Sequence, residues 1–128
     1  MDRALLVLGA LSASTAVGLG AFGAHALRRR LTPERAATFE TGVRYQLAHA
    51  LGLFVVVFLR TIGPDRVAET IAGVLFVAGT VLFSGSLYVL ALTGDRRWGI
   101  VTPFGGLCFL AGWLALVWAA ATVPFRFA

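Results

Sequence analysis

The sequence has 128 residues, of which 59% are hydrophobic and only 13% are charged, and its mean hydropathy is +0.86. A soluble domain of this length does not hold so much apolar surface, so the composition indicates an integral membrane protein. The net charge of +5 comes from arginines, most of them at the ends of long apolar blocks. Because no basic helix face or aromatic RNA-binding motif accompanies them, we do not expect nucleic acid as a partner.

The first apolar block predicts a membrane-spanning helix over residues 4–27. It contains no Asp, Glu, Lys or Arg before the cluster that begins at Arg28, and it is long enough to cross a bilayer core of about 30 Å. A cleaved signal peptide is the alternative, because Ala24 and Ala26 form an A-x-A pattern. The block exceeds the roughly 7 to 15 apolar residues typical of signal peptides, which favours a retained helix.

The second helix is predicted over residues 33–59 and begins outside the hydrocarbon. Thr32 is suited to the N-cap position and Pro33 to the first helical position. Residues 33–44 mix charged and apolar side chains, whereas residues 45–59 are almost wholly apolar. The pattern therefore predicts an amphipathic interfacial segment before the spanning part of this helix.

Two further helices are predicted over residues 66–92 and 103–123. Gly94 follows the third helix as a stop signal. Thr102 and Pro103 repeat the pattern of an N-cap residue and a first-position proline before the fourth helix. Four spanning helices are therefore expected.

Short connections make successive helices antiparallel, so the whole chain is expected to form one transmembrane domain, an all-α four-helix antiparallel bundle. Both termini then share one side of the membrane with the second loop. That side has Arg3, Arg60, Arg66 and Arg126, whereas the opposite side has Arg28, Arg29, Arg30, Arg35, Arg44, Arg96 and Arg97. The positive-inside rule then predicts that both termini are on the non-cytoplasmic side.

Polar side chains collect in the leaflet that contains the first and third loops. The parts of helices 2 and 4 in the other leaflet have almost no hydrogen-bonding side chain. Because polar groups in hydrocarbon are costly unless they face the bundle or water, we expect these to point inward and form a pocket just below one membrane surface. The candidate pocket residues are His25, Glu40, Arg44, Tyr45, Gln46, His49, Ser84 and Tyr88.

The main alternative is that these side chains only hold helices together by hydrogen bonds. Glu40 and Arg44 have the i,i+4 spacing of an ion pair. His25 and His49 could ligate a metal or haem with Glu40, but no local ligand motif accompanies them, so no cofactor is expected. No Ser, His and acid arrangement is recognisable, so no catalytic residue is predicted and an enzyme is not favoured.

Small residues recur every three or four positions on two helices. Such stripes let helix backbones approach closely, either within one chain or between chains. The predicted packing residues are Gly9, Ala13, Ala16 and Gly20 on helix 1, and Ala111, Ala115 and Ala119 on helix 4.

Four segments together resemble one known family. They are GAFGAHAL at residues 20–27, ETGVRYQLAHAL at 40–51, LFSGSLYVLAL at 82–92 and TPFGGLCFLAGW at 102–113. In this order and spacing they resemble the YgdD family of small four-span membrane proteins of unknown function, found in bacterial inner membranes with a relative in animal cells. The resemblance implies four spans, a retained first helix and an inner-membrane location. It supplies no catalytic residues.

Three classes of function are compatible with these features. The first is a non-enzymatic membrane protein that binds a lipid or a small apolar molecule, or that serves as an accessory or assembly subunit of a membrane complex. Membrane lipid, a second copy of the chain or a larger complex would be its partners. The alternative is an oligomeric channel or transporter for protons or a small polar solute, whose route would be lined by His49, Tyr45, Glu40 and Arg44. A membrane enzyme using His25 or His49 as acid or base ranks third.

Overall fold

The computed structural model describes residues 1–63 and 66–124, and the regular structure in these ranges is entirely helical. Helix α1, Asp2–Phe22, continues as a π-helical turn, Gly23–Leu27. Helix α2 runs over Pro33–Ile62 as one unbroken helix. The segment predicted to be interfacial is therefore continuous with the spanning part.

The second half of the chain also contains a π-helical turn. Helix α3, Val67–Gly79, passes through the turn Thr80–Ser84 into α4, Gly85–Thr93. A 3-10 turn, Arg96–Ile100, precedes α5, Thr102–Thr122.

These elements form four helices long and apolar enough to cross a membrane. We call them spans 1 to 4; they are Asp2–Arg29, Pro33–Ile62, Val67–Thr93 and Arg96–Thr122. The protein is an all-α membrane bundle, as its composition predicts. Arg126, which the sequence places near the end of the fourth helix, lies outside the described residues.

Local signals explain where several helices begin and end. Thr32 Oγ1 accepts a hydrogen bond from the Arg35 N–H over 3.4 Å, and Gly94 ends span 3 at φ 74°, a conformation that glycine adopts without strain. The N-cap predicted at Thr102 is wrong, because Val101 occupies that position. Thr102 Oγ1 instead lies 2.7 Å from Ser86 Oγ, so this hydroxyl joins span 4 to span 3.

Aromatic rings packed against glycines hold spans 2, 3 and 4 together. Phe76 is fully buried and lies between Gly52 and Gly112. A Cβ atom added to Gly52 would lie 2.8 Å from the Phe76 ring, and one added to Gly112 would lie 2.7 Å from it. Phe109 packs in the same way on Gly79, where an added Cβ would lie 2.5 Å from the ring. Glycine is required at these positions because a side chain would overlap the ring.

The predicted small-residue face of span 1 lies toward span 2. An added Cβ at Gly9 would lie 3.2 Å from Ala50 O, so the two backbones approach closely there. Ala16 is buried, and Ala13 and Gly20 are half-buried.

The small residues of span 4 are divided between its faces. Ala119 is buried, Ala115 is half-buried and Ala111 is exposed. The closest approach to span 3 occurs instead at Gly105, where an added Cβ would overlap the backbone of Phe83. The packing face of span 4 is therefore rotated away from Ala111.

Candidate functional site

Gln46 is the centre of a hydrogen-bond network that joins three spans. Its side-chain Nε2 donates to Ser12 O over 2.9 Å and to Thr15 Oγ1 over 2.8 Å. Its Oε1 accepts a hydrogen bond from the Tyr88 hydroxyl over 2.7 Å. Gln46 is 7% exposed, so span 2 contributes a buried amide that is bonded on both sides. The network explains how a polar side chain is accommodated in the apolar bundle.

Ser84 forms a second link between spans 2 and 3. Its Oγ donates to Gly42 O over 2.7 Å, and the residue is completely buried. The Tyr88 ring covers the same glycine, since an added Cβ at Gly42 would lie 2.8 Å from that ring. The ring centroids of Tyr88 and Phe39 are 4.9 Å apart. Gly42 thus supplies both an accepting carbonyl and space for an aromatic ring.

His49 is held by partners on two spans. Trp113 Nε1 donates to His49 Nε2 over 3.0 Å, and His49 Nδ1 lies 2.7 Å from Tyr45 O. An indole N–H can only donate and a carbonyl can only accept, so the imidazole is neutral and carries its proton on Nδ1. Its ring stacks on Phe109 with centroids 3.4 Å apart. Because both nitrogens are bonded, this arrangement leaves neither free to bind a metal or to transfer a proton.

The other predicted site residues lie nearer the surface. Tyr45 is 44% exposed, and its ring packs on Phe83 with a centroid distance of 4.5 Å. The predicted ion pair between Glu40 and Arg44 is confirmed at 2.6 Å, with both side chains exposed. His25 is exposed in the first π-helical turn. The candidate residues therefore separate into a buried group that joins helices and a group exposed on the outside of the bundle.

A groove of about 260 Å³ lies beside the Gln46 network, between spans 1, 2 and 3. Its wall is mostly apolar, and the polar residues on it are Ser12, Thr15, Gln46 and Thr80. Thr15 and Thr80 donate to carbonyls of their own helices. Ser12 Oγ is buried and has no hydrogen-bond partner within the part of the chain that the structure describes. Ser12 thus differs from Thr15 and Thr80 in that its hydroxyl makes no hydrogen bond with any described residue.

Arg35 has a role that sequence reasoning missed. Its Nε donates to Ala91 O and its Nη2 to Leu92 O, each over 2.6 Å. A guanidinium here bonds the last carbonyls of span 3, which have no partner within their own helix. From the sequence, Arg35 is three residues after Thr32, which indicates only that it lies in the first turn of span 2. The sequence therefore could not predict that its side chain bonds to the end of span 3.

Arg60 forms a polar cluster at the opposite end of the bundle, which sequence reasoning also missed. Its Nε donates to Asp2 Oδ1 over 2.5 Å, and its Nη1 donates to Arg66 O and to the Thr70 hydroxyl. Glu69, which is close to Arg66 and Thr70 in the sequence, is 1% exposed. Its Oε2 has no hydrogen-bond partner among residues 1–63 and 66–124. A single charge inside an otherwise apolar block is the sequence signal for such buried residues.

Comparison with known proteins identifies the family. Residues 19–106 match the family model described as "Protein of unknown function (DUF423)". The chain is 47% identical to the UPF0382 membrane protein YwdK of Bacillus subtilis, over 92% of this chain and 96% of that protein. It is 45% identical to a UPF0382 membrane protein of Staphylococcus epidermidis, over 96% and 98% of the two chains.

A further relative is named by its cellular location. The chain is 41% identical to the UPF0382 inner membrane protein YgdD of Escherichia coli, over 91% of this chain and 88% of that protein. No solved structure matches the chain. These similarities agree with the resemblance of its four motifs, and the chain belongs to the DUF423 family of UPF0382 membrane proteins, which includes YgdD.

Proposed function

We propose that this protein binds a small apolar molecule that carries one hydroxyl or carbonyl group, in the groove between spans 1, 2 and 3. The observation that carries the proposal is Ser12, which lines that groove and whose buried Oγ has no hydrogen-bond partner among the described residues. The groove supplies an apolar surface for the body of the ligand. The serine supplies one hydrogen bond, which would set its orientation.

The state of Ser12 differs from that of its neighbours on span 1. Ser14 Oγ donates to Ala10 O over 2.8 Å, and Thr15 Oγ1 donates to Leu11 O over 2.9 Å. Such bonds to the preceding turn are the usual way in which a hydroxyl is satisfied in a membrane helix. A buried hydroxyl without a partner costs about 1–3 kcal/mol. A ligand oxygen in the groove would remove that cost.

The depth of the groove narrows the class of ligand. Ser12 and Thr80 lie near the middle of their spans, and Gln46 lies in the apolar part of span 2, beyond its amphipathic start, so we expect the polar patch to lie within the hydrocarbon and below the head groups. Ordinary phospholipids present only acyl chains at that depth. We therefore expect a neutral molecule whose polar group lies within the hydrocarbon, such as a long-chain alcohol or an apolar carbonyl compound.

The buried core argues against the channel or transporter alternative within one chain. Val56, Phe76 and Leu116 are buried in one apolar cluster. This cluster lies between Gln46 and the end of the bundle that contains Glu69. His49 uses both ring nitrogens in hydrogen bonds, as described above. Binding is therefore the function that the described residues support best.

A photoactivatable probe tests the proposal directly. The purified protein is reconstituted in phosphatidylcholine liposomes with a long-chain alcohol that carries a diazirine, or with a diazirine hydrocarbon of equal length. We expect the alcohol to label groove residues such as Leu8 and Val77, in preference to residues on other faces such as Val17 and Val117. The hydrocarbon should distribute over all lipid-facing surfaces. Labelled positions are read by mass spectrometry.

Two substitutions on span 1 provide the matched comparison. Ser12→Ala should reduce groove labelling by the alcohol to the level of the hydrocarbon, whereas Ser14→Ala should leave it unchanged, because Ser14 is already bonded to Ala10 O. Equal labelling by the two probes would contradict the proposal. Native mass spectrometry of protein extracted from its own membrane is a second test. A retained protein partner without a small molecule would instead favour the accessory-subunit role.

We also propose that both termini lie on the non-cytoplasmic side. The support is the excess of arginines on the side of the first and third loops, seven against four on the side of the termini. A C-terminal alkaline phosphatase fusion should be active and a C-terminal green fluorescent protein fusion dark. The reverse result would place the termini in the cytoplasm.

A further inference from the structure

A second, larger cavity lies toward one end of the bundle, between the end of span 1 and the amphipathic start of span 2. Its volume is about 780 Å³. Phe39, Val43 and Leu31 provide apolar lining, whereas Arg28, Arg44 and Glu40 provide charged lining. No described residue lines both this cavity and the groove at Ser12. The two are therefore separate sites.

We propose that this interfacial cavity binds an anionic phospholipid, with the phosphate at Arg28 and Arg44 and the upper acyl chains on the apolar lining. Charge complementarity supports this occupant, because the two guanidinium groups outweigh the single Glu40 carboxylate. Arg29 and Arg30 follow Arg28 in the sequence and are exposed, which adds positive charge near the opening. Basic clusters at this depth attract anionic lipid head groups.

The cavity is built by close packing at its base. An added Cβ at Gly23 would lie 3.0 Å from the Phe39 ring, and one at Gly20 would lie 3.3 Å from Val43. The π-helical turn Gly23–Leu27 follows, and it is closed by a hydrogen bond from the Arg28 N–H to Gly23 O over 3.1 Å. The glycines thus hold span 1 against span 2, and the turn places Arg28 beyond that contact.

Glu40 distinguishes the proposal from a purely structural explanation. It pairs with Arg44 at 2.6 Å, and both side chains are exposed. Exposed pairs of this kind are weak, and a phosphate offers a guanidinium a stronger hydrogen-bond acceptor. Lipid binding therefore requires Glu40 to give up Arg44. Removal of the carboxylate should favour the lipid, whereas removal of the guanidinium should disfavour it.

The test uses full-length protein in phosphatidylcholine liposomes with and without phosphatidylglycerol. After gentle extraction, bound lipid is counted by native mass spectrometry. We expect wild type to retain phosphatidylglycerol in preference to phosphatidylcholine. Arg28→Gln and Arg44→Gln should each reduce that preference about fivefold, the effect expected of one arginine at a membrane surface. Glu40→Gln should increase it.

Arg96→Gln is the matched control, because Arg96 is an exposed arginine on the same side of the membrane and does not line the cavity. It should leave the preference unchanged. Equal retention of the two lipids would overturn the proposal. A change of the same sign in Glu40→Gln and Arg44→Gln would also overturn it, because that is the result expected if only the ion pair matters. Displacement of the lipid by inorganic phosphate would indicate a site for free anions instead.

Discussion

Trp113 Nε1 donates a hydrogen bond to His49 Nε2 over 3.0 Å, and this bond joins span 4 to span 2. The same imidazole is bonded to Tyr45 O on its other nitrogen and stacks on Phe109. A histidine in a membrane helix is often a candidate for proton transfer or metal binding. Here the two partners define its tautomer and occupy both nitrogens, so His49 acts as a link between helices.

Loss of the indole N–H should therefore weaken the bundle through His49. Trp113→Phe keeps an aromatic ring beside Phe76 and removes the donor, and we expect it to lower the free energy of unfolding by about 1 kcal/mol. In the His49→Phe background the same change should cost much less, because the acceptor is already absent. Unfolding by sodium dodecyl sulfate gives both values. Equal costs in the two backgrounds would show that the bond contributes nothing.

Removal of the Gln46 side-chain amide should cost more than removal of one of its partners. Gln46→Leu breaks three hydrogen bonds, to Ser12, Thr15 and Tyr88, and should lower the free energy of unfolding by about 2 kcal/mol. Tyr88→Phe breaks one of these bonds and should cost about 0.6 kcal/mol. The same unfolding titration measures both variants. A cost for Tyr88→Phe equal to that of Gln46→Leu would contradict a shared network.

Substitution of the glycines around Phe76 should destabilise the protein by steric overlap. Gly52→Ala and Gly112→Ala place a methyl group less than 3 Å from the ring, and each should cost about 1–3 kcal/mol. Gly18→Ala and Gly85→Ala are the controls, because an added Cβ meets nothing within 4 Å at either position. These should be neutral or slightly stabilising, since alanine favours a helix. Thermal unfolding in detergent compares the four variants, and equal effects would contradict the packing.

Arg35 should be needed to hold the end of span 3. Arg35→Lys keeps the positive charge but cannot reproduce two parallel bonds from one planar group to Ala91 O and Leu92 O. We expect faster hydrogen exchange of the Gly94 amide, which donates to Leu90 O in the last turn. Arg29→Lys, at an exposed position, is the control and should exchange as wild type does. Unchanged exchange in Arg35→Lys would contradict the capping role.

The third loop should show a small acid-dependent loss of stability. Asp95 accepts hydrogen bonds from the Arg97 guanidinium, at 2.9 Å, and from the Arg97 backbone N–H, at 3.0 Å. The bond from the guanidinium is the main reason why the pKa of Asp95 is below its usual value. Because the pKa of Asp95 is lower in the folded state, its ionised carboxylate stabilises the folded protein at pH values above the unfolded pKa of about 3.9. This stabilisation is lost as the pH falls through the pKa of the folded state.

Asp95→Asn tests this assignment. The variant should lose less thermal stability than wild type when the pH is lowered from 5 to about 2, because it has no carboxylate to protonate at this loop. Thermal unfolding at each pH gives the comparison. Parallel curves for the two proteins would show that the Asp95 and Arg97 contact does not affect stability.

The sequence alone determined the features that depend on contacts near in the chain. The apolar blocks predicted four spans, because a helix that crosses the hydrocarbon core of a bilayer needs about 20 consecutive, mostly apolar residues. Thr32 predicted a helix start and Gly94 a helix end, since both act on their own turn of backbone. Glu40 and Arg44 formed the expected ion pair because they are neighbours on one helix surface.

Only the tertiary structure decided which helix faces meet. In a membrane the lipid is as apolar as the protein core, so the periodicity of apolar residues does not separate the buried side of a span from its outer side. This is why Ala111 lies exposed while Gly105 and Gly112 approach span 3. It is also why Thr102 bonds to Ser86 rather than capping its helix. Trp113 is distant in the chain from His49, as are the partners of the Gln46 and Arg35 side chains, and only the rotation and crossing of the packed helices bring them together.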